Sequence, residues 1–195
     1  LSSGDLDSGP RPAALALLEV SSLARGVVVA DAVVKRAPVE LLECGPVSPG
    51  KYLILFAGGV AEIEESSAAG AQAAGDALLD RLLLPQAHEQ LLPAIRAGAR
   101  GFGHDAGADS AGVVELLSVA SALRAADAAC KAAAVRLQLL HLARGIGGKA
   151  WFVLRGGLDS VEAAVLAATQ AAGDGMLAGA EIIAAPHWEL RGRVL

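Results

Sequence analysis

Four histidines, two cysteines and one crowded set of carboxylates are the side chains of this sequence that could do chemistry. His88, His104, His141 and His187 stand far apart, and none lies in a His-Glu-x-x-His zinc pattern or beside a nucleophile elbow. Metal-assisted hydrolysis and acyl transfer are therefore not signalled. Cys44 and Cys130 lack a ligand-spaced partner and read as reduced, small apolar residues. Glu62, Glu64 and Glu65 crowd one helical stretch and read as a solvated face. The glycine-rich run Gly145-Ile146-Gly147-Gly148 follows a strand but leads into another strand, so it is not the phosphate cradle found where a strand turns into a helix N-terminus. Reactive groups do not converge, and the expectation is a chain with no catalytic residue, no metal and no cofactor.

The elements that carry these residues occur twice. Glu19, Ser22, Ala30, Asp31, Ala32, Lys35, Ala37 and Val39 return 96 positions later as Glu115, Ser118, Ala126, Asp127, Ala128, Lys131, Ala133 and Val135. Gly50-Lys51, Gly58-Gly59, Glu64 and the run from Gln72 to Asp76 return 98 positions later as Gly148-Lys149, Gly156-Gly157, Glu162 and the run from Gln170 to Asp174. Two residues have been gained in one loop of the second copy. A duplication this long implies two similar domains side by side, because solenoid repeats are shorter and need several copies to bury a core.

Composition fits two lean domains. Of the 195 residues, 54% are hydrophobic but only 3% aromatic, so the core is built from Ala, Val and Leu and buries little apolar area per residue, which favours assembly with partners. The net charge of −5 and the lack of interleaved basic and aromatic residues give no footprint for nucleic acid. Mean hydropathy is +0.49, yet uncharged stretches such as Ala163 to Gly173 fall short of the roughly 20 residues that span a bilayer, so no membrane partner is expected. The sequence opens on Leu1 with no basic and then apolar leader, as expected of a trimmed or incomplete N-terminus with no signal for secretion.

Residues 1–13, rich in Ser, Gly, Asp and Pro, read as a flexible arm, and residues 97–111 as a linker between domains at 14–96 and 112–195. In each domain a short apolar strand (Ala14 to Val20, Val113 to Leu117) leads into a helix capped by Ser22 or Ser118. Leu23, Val27, Ala30 and Val34 recur along the first of these helices at helical spacing, with Asp31 and Lys35 paired on its outer side. Two strands follow, Val39 to Cys44 and Lys51 to Ala57, then Val135 to His141 and Lys149 to Arg155, each pair joined by a turn-rich loop. The second helices, Val60 to Ala74 and Asp159 to Ala172, start at paired glycines; Asp159 and Glu162 resemble a capping box. Final strands run from Leu78 to Leu84 and from Ala178 to Ala184. The unit is βαββαβ, an α/β sandwich of the ferredoxin-like kind with two helices on one face of a four-stranded sheet.

These residues carry a family resemblance. The element order, the Ala-Asp-Ala-x-x-Lys-x-Ala-x-Val signature at Ala30 to Val39 and Ala126 to Val135, the Gly-ended loop and the Gly-x-Val/Leu-x-x-Val/Ile-Glu helix start resemble the shell-protein domain of bacterial microcompartments. Two copies in unpermuted order resemble its tandem, trimer-forming class. The resemblance covers about Ala14 to Leu91 and Gly112 to Leu190 and implies a pseudohexagonal homotrimer that tiles with hexameric and pentameric shell proteins in a shell in the bacterial cytoplasm. It places Lys35 and Lys131 at the tile edge with His88 and His187. The Pro-Arg-Pro-His-like edge motif of many relatives is replaced here by Leu84-Pro85-Gln86-Ala87-His88 and Ala185-Pro186-His187. It also places Val47, Ser48, Pro49, Gly50, Arg144, Gly145, Ile146, Gly147 and Gly148 around a central pore for small polar metabolites. Some tandem relatives hold an iron–sulfur cluster on a pore-loop cysteine; neither loop here has one, and Cys44 precedes its loop. Arg144 either faces the channel or pairs with a carboxylate on the tile face. The competing functions are a small-molecule-binding regulator built from the same duplicated unit and, more weakly, an enzyme with an intersubunit site.

Overall fold

The seven residues of the first strand, β1 (Ala14–Val20), are all buried, as an apolar run with no alternation requires of a strand covered on both faces. The computed structural model describes residues 14–98 and 110–190; the N-terminal arm, His104 and most of the linker expected from the sequence lie outside them. After β1 come α1 (Leu23–Arg36), β2 (Glu40–Val47), β3 (Lys51–Gly58), α2 (Val60–Ala74) and β4 (Leu78–Leu84). The sheet is antiparallel in the order β2-β3-β1-β4. On one face, Ala16, Leu18, Val20, Ile54 and Phe56 pack with Val29 and Val33 of α1 and Ile63 of α2. The helix lies close to the sheet because Gly26 has no side chain: a Cβ there would sit 2.2 Å from Cγ of Tyr52.

The second unit repeats the order as β5 (Ser110–Leu116), α4 (Val119–Ala132), β6 (Arg136–Leu142), β7 (Ala150–Gly156), α5 (Leu158–Ala171) and β8 (Leu177–Ile183), with sheet order β6-β7-β5-β8. A short helix that the sequence pattern did not reveal, α3 (Leu91–Ala97), packs against β6 and buries Leu91, Ala94 and Ile95. Pro93 stands in its first turn, where a missing N–H costs nothing.

Several local expectations hold and several change. Ser22 and Ser118 cap their helices, their hydroxyls accepting from the backbone N–H of Arg25 and Ser121. The second unit's first strand opens at Ser110, so Ser110 and Ala111 belong to the sheet and not to the joining segment. β2 runs on to Val47, which leaves Ser48-Pro49-Gly50 as the turn, with the Ser48–Pro49 bond cis. Gly157, not Asp159, is the N-cap of α5; its backbone is extended, and Asp159 lies in the first turn beside the positive end of the helix. The largest change concerns α1. Its buried face is Gly26, Val29, Ala30 and Val33, while Leu23, Val27 and Val34 point outward.

Burial also separates the cysteines. Cys130 on α4 is buried, and desolvation, with a smaller contribution from Asp127, pushes its thiol up to about 12. Cys44 is exposed, 3.7 Å from the Tyr52 hydroxyl. Iodoacetamide at about pH 8 is therefore expected to alkylate Cys44 in the folded protein and Cys130 only after unfolding, because the thiolate is the nucleophile. Mass mapping of two modified sites in the native protein would contradict this burial.

Candidate assembly site and loop cluster

The richest polar cluster lies at the seam where the first unit meets the second. Glu19, in the apolar strand β1, is 1% exposed; its carboxylate accepts from Lys51 Nζ at 3.2 Å and from the backbone N–H groups of Val119 and Ala120 at 3.1 and 3.3 Å. An acid of unit one thus caps the N-terminus of α4 in unit two, with the sign the helix dipole favours. A buried carboxylate is tolerable because a cation and two donors satisfy it.

Further along the seam, Asp127 of α4 accepts from the backbone N–H of His88 at 2.7 Å and from Lys131 Nζ at 2.5 Å, and the same ammonium donates to the Gln86 carbonyl at 2.6 Å. The pair expected on an outer helix face is therefore, in the second copy, part of the joint between units, with Asp127 buried. In the first copy Lys35 and Asp31 form the exposed pair the sequence predicts, at 2.7 Å. Gln90 completes the seam by donating from Nε2 to the Val135 carbonyl and accepting at Oε1 from the Leu137 N–H, so its amide extends the edge of β6 as a strand would. His88 Nδ1 accepts from the Gln90 N–H, and His187 Nδ1 from the Glu189 N–H, so both imidazoles shape their own turns.

The two turn-rich loops meet at one end of the seam. Gly148 has φ of +80°, and a Cβ there would lie 2.6 Å from the Ser48 carbonyl oxygen, so only glycine lets the loops touch. Val47 is buried, while Ser48, Pro49, Gly50, Arg144, Gly145 and Gly147 are exposed. Arg144 Nη2 donates to Glu43 Oε2 at 2.5 Å across the unit boundary, and the Arg144 carbonyl lies 2.7 Å from His141 Nε2. The guanidinium thus takes the carboxylate-paired alternative. Ile146 lines a different feature, an open groove of about 460 Å³ with Val113, Glu115, Lys149 and Trp151.

The seam has unfinished counterparts elsewhere on the chain. Val119 and Leu123, 0% exposed within it, correspond to Leu23 and Val27 of α1, 47% and 58% exposed. Ile183 pairs with Ala111 as Leu84 pairs with Leu15, so from the last strand onward the copies are 99 positions apart, and Leu91, 0% exposed, corresponds to Leu190 at 40%. The same residue types at the same places are covered in one copy and bare in the other. No local motif marks Glu19, Gln90 or Glu43 as functional in the sequence. The one available signal was a glutamate repeated at equivalent places, Glu19 and Glu115, inside otherwise apolar strands.

Among the described residues no group of three or more His, Cys, Asp or Glu could hold a metal ion, and no helix is long and apolar enough to cross a membrane. Fold and polar clusters together define a chain of two similar units joined by a buried polar seam. The BMC domain model matches residues 14–87 and 110–186, and the chain belongs to the BMC domain family. It is 39% identical over 175 residues to the bacterial microcompartment shell protein PduT of Citrobacter freundii, covering 89% of this chain and 93% of the relative. A crystal structure of a microcompartment protein from Desulfitobacterium hafniense superposes with a TM-score of 0.83 at 40% identity, covering 92% of this chain and 98% of that one. The fused permuted hexameric shell protein of the RMM microcompartment shares the fold, with a TM-score of 0.61 at 23% identity over 82% of this chain and 83% of that one. Here the strands and helices run in the unpermuted order.

Proposed function

We propose that this chain is a structural shell protein of a bacterial microcompartment: a homotrimer of six similar units around an axis, tiling with other shell proteins and passing small polar metabolites through a central opening. The observation that carries this reading is the finished seam inside the chain beside two bare edges made of equivalent residues. If α1 of one copy docks against β8 and the His187 turn of the next as α4 docks against β4 and the His88 turn, each chain supplies one complementary pair of edges. Such a head-to-tail contact must close into a ring or grow without limit. With two units per chain, a six-unit ring takes three chains. Lys35 and His187 then fall at the joint between chains and Lys131 and His88 at the joint within each chain. All four lie toward the tile rim, where neighbouring tiles meet.

The same symmetry brings six loops to the axis, three of Ser48-Pro49-Gly50 and three of Arg144 to Gly148, which gives the opening a threefold outline. Backbone N–H groups and the Ser48 hydroxyl supply a polar lining suited to polar metabolites. Neutralising both partners in Glu43→Gln/Arg144→Gln is expected to leave the anion-to-cation flux ratio of reconstituted shells within about twofold, because Glu43 already balances the guanidinium. A fall of about tenfold would assign selectivity to Arg144.

The role is structural and not enzymatic. A recess of about 140 Å³ opens between the units beside Glu43, Ile95, His141 and Arg144. It is smaller than the roughly 300–1,000 Å³ of pockets that hold metabolite-sized ligands; the open groove of about 460 Å³ beside Glu115 is of that size and is read below as the docking site of a second copy. Coexpression with hexameric and pentameric shell proteins tests the function. The chain should copurify in closed shells; its exclusion from shells that form without it would overturn the assignment.

A further inference from the structure

We infer that Glu115 is an intersubunit helix cap: the groove bounded by Val113, Glu115, Lys149 and Trp151 receives the first turn of α1 from a second copy of this chain, whose Leu23 and Ala24 backbone N–H groups donate to the Glu115 carboxylate. This rests on the trimer reading above and assigns the residue that closes its ring.

The argument is a residue-by-residue comparison of a filled site with an empty one. Inside the chain, Leu17, Glu19, Lys51 and Leu53 form the same patch on the first sheet. Leu17 and Leu53 are buried, and Glu19 caps α4 through Val119 and Ala120. On the second sheet the strand registers put Val113, Glu115, Lys149 and Trp151 at those places. Lys149 Nζ holds Glu115 at 3.0 Å as Lys51 holds Glu19, so the carboxylate is already posed, yet it is 42% exposed instead of 1%. The space that α4 fills in the first case is, in the second, the open groove of about 460 Å³. The occupant is fixed by the repeat: Leu23 and Ala24 stand where Val119 and Ala120 stand, after an equivalent capping serine, and the first turn of α1 carries no acid of its own. A helix N-terminus without an acid and a posed acid without a helix complement each other.

One position breaks the equivalence. Gln90, whose amide both donates and accepts along β6, corresponds to Glu189, which in the joint between chains faces the Val39 carbonyl and the Leu41 N–H. A carboxylate accepts from Leu41 but sets an oxygen against the Val39 carbonyl, so the joint between chains is weaker here than the joint within one.

Sedimentation equilibrium of the full chain, with arrays suppressed, reads both effects. Glu115→Gln is expected to raise the midpoint concentration of trimer assembly by about tenfold or more with unchanged monomer circular dichroism, and Glu189→Gln to lower it several-fold. Hydrogen exchange adds a local readout: the Leu23 and Ala24 amides should be protected in the trimer and lose that protection in Glu115→Gln. A trimer whose midpoint and amide protection are untouched by Glu115→Gln overturns the cap while leaving the trimer standing. A parent chain that stays monomeric overturns both.

Discussion

Val27→Asp is expected to yield a folded monomer. Val27 is 58% exposed on the outer face of α1, so an aspartate there meets only water in the isolated chain and the fold should melt within about 0.5 kcal/mol of the parent. In the proposed ring the same position would be the counterpart of Leu123, which is wholly buried in the seam within the chain. Losing the apolar burial forfeits about 1.5–3 kcal/mol per joint, and an unpaired carboxylate in that setting costs several kcal/mol more. Because a ring of three repeats the loss at each joint, the assembly constant should fall by three orders of magnitude or more. Sedimentation velocity beside a thermal melt separates the outcomes. A trimer of normal stability would mean that α1 faces solvent in the functional state; an unfolded variant would mean that Val27 serves the monomer's own core.

The second large effect is an asymmetry between two aspartates that the repeat makes equivalent. Asp127→Ala should destabilise the chain by about 2–4 kcal/mol, since it strips the His88 N–H and the Lys131 ammonium of a buried acceptor and loosens the hold of Lys131 on the Gln86 carbonyl. Asp31→Ala removes only an exposed helix pair, worth about 0.3–0.5 kcal/mol. Both are best measured by urea denaturation in the Val27→Asp background, where association cannot mask the difference. Equal losses at the two sites would show that the joint between units contributes nothing to folding.

Much of the architecture was legible because duplication doubles every signal. Ser22 and Ser118 before apolar helices, paired glycines before the second helices and apolar runs at Ala14 and Lys51 each occurred twice at matching places. What escaped has common physical causes. The outward stripe of Leu23, Val27 and Val34 has the same periodicity as an inward one, and only the position of the sheet tells which is covered within the chain. Helix α3 is seven residues long with a proline in its first turn, too short for periodicity to reveal. Asp159 mimicked a cap because an acid three residues before Glu162 fits the pattern, whereas Gly157 leaves no side-chain signature. At the candidate site, Lys131 and Arg144 were visible as residues, but their partners, Gln86 and Glu43, are 45 and 101 positions away, and no local pattern connects them.

Cryo-electron microscopy of sheets grown from the purified chain tests the central claim most directly. Each tile should resolve into six similar units with threefold symmetry, three chains per tile, and an opening bordered alternately by the Ser48 and Arg144 loops. Discrete particles that never tile, or tiles in which α1 and the His187 turn of neighbouring chains do not meet, would contradict it.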